Sequence, residues 1–314
     1  MPPSPEGGLT LVAARPRVAV MAEKRDGHAF RLVKALRGLG AEARRVSLVD
    51  CVFDTTQRAG LVVPGFGRRL PDAVLVRSIP AGTFEAVTRR LGILHALREQ
   101  GVLVWNDARA IERCVDKSTT SFFLAKAGIP TPTTWAVENH AAAAAIVRRE
   151  TLRGPLVFKP LFGSQGRGLK LVRQETDLPR AEEASGVYYL QRFMGEDREG
   201  FHDYRVFVIA GRAVAAMARH HRDWITNVKR GGEPRPAALD PELSGLAERA
   251  ARAVEADFCG VDILRLAVGR GAVLEVNSMP AWSGLRKVSP VDITGHLAAA
   301  LLAALGEAEA RRRA

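Results

Sequence analysis

Gly260-Val261-Asp262-Ile263-Leu264, followed after a short gap by Leu274-Glu275-Val276-Asn277, decides how this chain is read. Both runs have the apolar content of strands, and a hairpin joins them. Alternation puts Glu275 and Asn277 on one face and turns Val276 into the core, with Asp262 reaching them from the neighbouring strand. Carboxylates framed by Val261, Ile263, Leu274 and Val276 are costly to bury unless paired or metal-bound. Two carboxylates and an amide oxygen make a hard-cation site suited to Mg²⁺, which usually accompanies phosphates.

Working upstream, three features suit a phosphate chain. Lys159 ends the apolar run Leu156-Val-Phe and precedes Pro160. A lysine there either pairs with an anion or snorkels to water. Lys117 follows Asp116 at a helix start, where a cation opposes the helix dipole unless an anion is near. Between these lysines and the acids lies Gly163-Ser164-Gln165-Gly166-Arg167-Gly168. Such a loop is either a glycine-rich turn or a cradle whose N–H groups approach phosphate oxygens. It is not a G-x-x-x-x-G-K-[ST] loop. Together with the acids, these features say that ATP is consumed. Arg205, Arg219, Arg222 and Asn227 form a last polar group, and Arg205 and Arg219 suit phosphoryl oxygens or a carboxylate.

The rest of the chain alternates strand and helix. Strands are predicted at 17–21, 41–48, 73–76 and 101–104, with helices at 28–39 and 83–100, which implies a parallel sheet flanked by helices. No G-x-G-x-x-G follows the first strand, so dinucleotide binding is not expected. After residue 105 come helices from Asp116 to Ala127 and at 141–149, and strands at 133–137, 156–159, 169–172 and 187–194. A hairpin turns at Gly211, a helix spans 240–256, and a last helix spans 290–305. The division is a tail (1–15), an N-terminal α/β domain (16–105), a central lobe (106–190), a C-terminal lobe (191–305) and a second tail (306–314).

Composition narrows the function classes. The 314 residues carry a net charge of +12, but only eight of the 46 basic residues are lysine, the arginines are scattered, and aromatics are 6%. Stacking on single-stranded nucleic acid needs aromatics, so an acidic small substrate fits better than nucleic acid. The start lacks a basic segment with an apolar run, and the longest apolar stretch near the end is too short to span a bilayer. Three cysteines far apart in sequence fit a reducing cytoplasm. Neither G-x-S-x-G nor H-E-x-x-H occurs.

In order, Asp116-Lys117, Gly128-Ile-Pro-Thr-Pro132, Lys159-Pro160, Gly163 to Gly168, Gln191 to Met194, Asp203-Tyr-Arg205, Ala215 to Arg219, Asn227, Gly260 to Leu264 and Glu275 to Asn277 resemble the ATP-grasp superfamily. Within it they resemble the RimK-type α-L-glutamate ligases. The resemblance implies an α/β chain of α+β lobes: an ATP-grasp fold preceded by a Rossmann-like parallel-sheet domain. It implies that Lys117 and Lys159 contact ATP phosphates and that the loop of Gly163, Ser164, Gln165, Gly166 and Gly168 closes over them. Gln191, Arg192, Phe193 and Met194 become the hinge that holds adenine through backbone groups, with Asp203 also on the nucleotide side. Asp262, Glu275 and Asn277 bind two Mg²⁺ ions, replaceable by Mn²⁺. Arg205, Arg219 and Asn227 face the phosphoryl group and the acceptor carboxylate.

The hinge carries Arg192 where the family usually has Glu. Ile225 stands where the ribosomal-protein-modifying type usually has Arg. Asp223-Trp-Ile-Thr-Asn227 and Ser278 to Leu285 look more like the ligases that add glutamate to tetrahydromethanopterin or to the deazaflavin coenzyme. The implied substrates are ATP, L-glutamate and a carboxylate-bearing small molecule, in a homo-oligomer (dimer or tetramer). The other readings are glutamylation of a protein tail, an amino-acid-biosynthesis ligase, and a basic binding protein without turnover.

Overall fold

The computed structural model describes residues 14–163, 166–195, 200–265 and 271–313. The N-terminal part runs β1 (Arg17–Met21), α1 (Gly27–Gly38), β2 (Glu42–Val46), a short pair β3 (Val52–Phe53) and β4 (Leu61–Val62), β5 (Ala73–Val76), α2 (Phe84–Glu99) and β6 (Leu103–Trp105). Its parallel sheet has the order β2-β1-β5-β6. Val18 to Met21 and Ala73 to Val76 are buried on both faces, as continuous apolar runs in parallel sheets are. Asp26 and Thr83 cap α1 and α2 by accepting backbone N–H groups of their first turns.

Next come α3 (Ala108–Val115), α4 (Lys117–Lys126), β7 (Thr134–Val137), α5 (His140–Glu150), β8 (Leu156–Lys159), β9 (Lys170–Val172) and β10 (Tyr188–Arg192). The strands form an antiparallel sheet, β7-β10-β8-β9, and the glycine loop joins β8 to β9. Asp116 is at once the last cap of α3 and the first of α4, where its carboxylate accepts from Ser118 and Thr119.

The C-terminal part holds β11 (Phe201–Ile209), β12 (Arg212–His221), β13 (Glu233–Ala237), α6 (Pro241–Ala253), β14 (Phe258–Arg265), β15 (Gly271–Asn277), α7 (Leu285–Val288) and α8 (Ile293–Arg313). Five strands make an antiparallel sheet in the order β13-β12-β11-β14-β15. Alternation gives it two unlike faces. Val206, Val208, Ala216, Val261 and Val276 pack in one core with α6 residues Leu243, Ala247 and Ala250. From the other face, Phe207, Met217 and Phe258 join a core shared with Val18 and Val20 of β1 and with α8. The remainder of that second face is polar.

Three features depart from the sequence reading. The expected C-terminal tail (306–314) is helix as far as Arg313, and Arg312 bonds the Gly101 carbonyl. That helix packs on α1 and the N-terminal sheet rather than staying within its own lobe. The elements α3, β3, β4, β13 and α7 went unpredicted.

Candidate active site

The polar end of the five-stranded sheet is set by strand register. Asp203 opposes Arg219 across β11 and β12, Arg205 opposes Asp262 across β11 and β14, and Asp262 opposes Glu275 across β14 and β15. The period of two puts all five side chains on one face. Arg205 makes a two-bond fork onto Asp262, both at 2.7 Å. Arg219 forks onto Asp203 and also lies 2.9 Å from Asp262. Two acids and two arginines thus form a nearly closed, neutral array. Burial opposes the charge of Asp262, but Arg205 and Arg219 outweigh it and hold its pKa below the usual carboxylate range. Burial likewise opposes Arg219, and Asp203 and Asp262 raise its pKa above the usual value.

The central lobe brings its lysines to the same cleft. Lys159 ends β8, and its ammonium donates to Gln191 Oε1 at 2.7 Å. Gln191 is buried on β10, and its amide nitrogen donates to the Tyr189 hydroxyl at 3.2 Å. Lys117 donates to the carbonyls of Leu161 (3.1 Å) and Gly163 (2.8 Å), which ties α4 to the loop entry. Burial lowers the pKa of Lys159, helped by Lys117 and opposed by Glu275, Asp262 and Asp203. Burial also lowers that of Lys117, against the pull of Glu275 and Asp116. Both lysines face the acids across a cleft of about 1410 Å³.

The expected hinge is partly tied into the central lobe. The Arg192 guanidinium binds the carbonyls of Glu150 (2.9 Å) and Gly154 (3.0 Å) and the Glu150 carboxylate (2.5 Å). It is a tie to the end of α5, and Glu150 supplies its countercharge. The backbone N–H groups of Arg192 and Phe193 are spent on Thr133 and Pro155, so they are not free for adenine. The Met194 N–H has no such partner among the described residues.

Of the residues singled out from sequence, Lys117, Lys159, Gly163, Gly166, Gln191 to Met194, Asp203, Arg205, Arg219, Asn227, Asp262, Glu275 and Asn277 line this one cleft. Gly168 packs on Pro160 and does not line it. Ser164 and Gln165 lie outside the described residues. Arg222 is exposed and lies off the cleft wall. His220 stacks on His202 at 5.2 Å. Arg205, Arg219 and Asp203 line the cleft while engaged in ion pairs with one another and with Asp262.

Sequence reasoning missed the wall supplied by the N-terminal domain: Glu23, Arg77, Ser78 and Ile79. Arg77 directly follows the apolar strand Ala73–Val76. That signal, a cation ending a buried strand, is the one that marked Lys159.

The donor set fits a hard divalent ion, since Asp262, Glu275 and Asn277 offer only oxygen ligands on adjacent strands. Glu275 and Asn277 have no side-chain hydrogen bond among the described residues, so they can ligate without breaking one. Asp262 must release a guanidinium contact to do so.

The architecture and cleft define an ATP-grasp ligase. The ligase PsnB, solved with a minimal precursor, Mg and ADP, superposes with a TM-score of 0.71 over 92% of this chain and 98% of that chain, at 22% identity. A RimK domain ATP-grasp protein from Sphaerobacter thermophilus gives a TM-score of 0.67 over 91% and 99%, at 21% identity. The description of the RimK-like ATP-grasp domain matches residues 114–301, and the chain belongs to that family. It is 34% identical over 247 residues to the tetrahydromethanopterin:alpha-L-glutamate ligase of Methanosarcina acetivorans, covering 68% of this chain and 74% of that one. It is 30% identical over 292 residues to a probable alpha-L-glutamate ligase of Maridesulfovibrio salexigens, covering 90% and 93%. Among the described residues no helix is long and apolar enough to cross a membrane.

Proposed function

We propose that this protein joins the amine of L-glutamate to a carboxylate of a pterin-class small molecule and converts ATP to ADP and phosphate. The observation that carries this reading is the convergence of Lys117 and Lys159 from one lobe with Glu275, Asp262 and Asn277 from the other on one cleft. The glutamate and the pterin are supported by the names of the relatives in Methanosarcina and Maridesulfovibrio.

In this reading an acceptor carboxylate oxygen attacks the γ-phosphorus, giving an acyl phosphate and ADP. The glutamate amine then attacks the acyl carbon, phosphate leaves, and the amine loses its proton. Lys117 and Lys159 neutralise charge on the phosphate oxygens as it shifts toward the leaving group. Gln191 fixes Lys159, so that cation needs little reorganisation. Asp262, Glu275 and Asn277 would hold Mg²⁺, which, when bound, withdraws charge from the phosphate oxygens. The glycine loop excludes water that would hydrolyse the acyl phosphate. No protein nucleophile is required, and positioning supplies most of the acceleration.

The test is ADP release from ATP and Mg²⁺ with L-glutamate and three acceptors: a tetrahydropterin cofactor, a deazaflavin coenzyme and a ribosomal-protein tail peptide. ADP release that needs both L-glutamate and the pterin supports the proposal. Release with the peptide alone would replace the pterin by a protein tail, and release with none would defeat the ligase reading for these acceptors.

A further inference from the structure

Arg77 lines the cleft from the N-terminal domain. The sheet order β2-β1-β5-β6 reverses its direction of growth between β1 and β5. Open parallel sheets bind ligands just outside the carboxyl ends of the strands at such a point. The residues beyond those two ends are Glu23 and Arg77-Ser78, joined by a 3.1 Å hydrogen bond from the Glu23 N–H to Ser78 Oγ.

The Arg77 side chain is 4% exposed. Its guanidinium lies 4.7 Å from the centroid of the Trp282 ring, and Nη1 donates to the Pro280 carbonyl at 2.9 Å. Asp26, at 3.6 Å, is its one ionic partner among the described residues, and Nε has no partner there. Burial pulls its pKa down to about 10, against Asp26. A buried cation this thinly compensated is costly unless an anion completes it.

Its position relates it to the reaction. A Cβ placed on Gly260 would lie 3.0 Å from Pro280 and 3.6 Å from the Arg205 side chain, so the loop that Arg77 grips abuts the arginine–aspartate array. Trp282, beneath Arg77, meets Phe207 edge-on at 5.8 Å. Arg77 is therefore linked to the Arg205 end of the array through Pro280 and Trp282. Arg205 and Arg219 are occupied by Asp203 and Asp262. The lysines sit with the loop and Gln191.

Resting on the ligase reading above, we propose that Arg77 anchors a substrate carboxylate remote from the bond being made. The class of ligand is a short dicarboxylate, either the end of the acceptor or L-glutamate itself. The indole packs against the guanidinium and the Pro280 carbonyl holds Nη1, so the cation is fixed in place at the cleft wall, where a carboxylate would complete its charge.

The test is calorimetric titration of the full chain with glutarate and with L-glutamate, each with and without Mg²⁺ and a non-hydrolysable ATP analogue. The wild type is expected to bind at least one of the two. Arg77→Gln is expected to weaken that binding roughly tenfold or more, and Arg77→Lys by less. Affinity for the nucleotide analogue should stay unchanged in both. Loss confined to glutarate assigns the site to the acceptor, and loss confined to L-glutamate assigns it to the amine donor.

Equal affinity in wild type and Arg77→Gln, or no binding of either acid to the wild type, overturns the proposal. So does a lower melting temperature with unchanged acid affinity, the signature of a purely structural tie. If Arg77→Gln does not fold, Arg77→Lys decides by the same readout. Failure of the wild type to bind the nucleotide defeats the ligase reading alone, because the titrations without nucleotide still judge Arg77.

Discussion

Glu275 and Asp262 face each other across one hairpin, yet they do different work. Asp262 neutralises Arg205 and Arg219, and its loss strands buried guanidinium charge. Asp262→Asn is therefore expected to abolish activity and also to cost about 3–5 kcal/mol of stability, measured by denaturant unfolding. Glu275 has no such partner among the described residues, so Glu275→Gln should abolish activity with the melting temperature unmoved. Gln191→Ala frees Lys159 and should raise the KM for ATP roughly tenfold, with the fold kept. The sequence made Lys159 and the acid pair legible because polar residues interrupt apolar strands there. It hid the Asp203–Arg219 fork, because an irregularity between Phe207 and Val208 shifts the register across β11 and β12 away from what the turn at Gly211 alone would set. For the same reason Arg205 and Arg219 read as open ligand sites.

Helices were the easiest elements to read: α1 from the spacing of Leu32, Ala35, Leu36 and Leu39, α2 from Thr83 onward, and α4 from its cap Asp116. The strand β13 was not legible because Pro234 and Pro236 argue against a strand. It is tolerated because β13 is an edge strand, paired among the described residues with β12 alone. The loop after β8 shows what glycine does at an element's end. Gly166 has φ +71°, and a Cβ there would lie 2.6 Å from Asn227 Oδ1 and 2.8 Å from Ile225 Cγ2. The loop of one lobe thus rests directly on the loop after β12 in the other. Gly166→Ala is expected to hold these loops apart and lower kcat by about tenfold or more, with little change in melting temperature. Steady-state ADP release and a thermal melt check both halves.

Across the whole molecule, the parts are pinned together by groups that no local reading could assign. Asn106 is fully buried and uses every bonding position. Its amide donates to the carbonyls of Phe258 (2.7 Å) and Ser278 (2.6 Å), and its oxygen accepts from the N–H groups of Asp257 and Phe258. It thereby fixes the end of β6 to β14 and to the segment after β15. Asn106→Ala should cost about 2–4 kcal/mol, read by denaturant unfolding. Beside it, burial raises the Asp257 pKa to about 7, with Asp107 adding to the shift and Arg98 opposing it. A carboxyl whose folded pKa is raised favours the fold while protonated and withdraws that support as pH climbs from its unfolded value, near 4, to about 7. Asp257→Asn should therefore raise the melting temperature by roughly 2–4 °C at pH 8 and leave it unchanged at pH 4.

Turnover in the proposed reading requires a nucleotide held at Lys117 and Lys159 and a divalent ion on the β14–β15 hairpin. Calorimetric titration of a non-hydrolysable ATP analogue, with and without Mg²⁺, into wild type and Glu275→Gln tests it most directly. Tight binding that depends on Mg²⁺ in the wild type, with that dependence lost in Glu275→Gln at unchanged melting temperature, is the predicted result. Equal affinity in all four titrations, or no binding to the wild type, would contradict it.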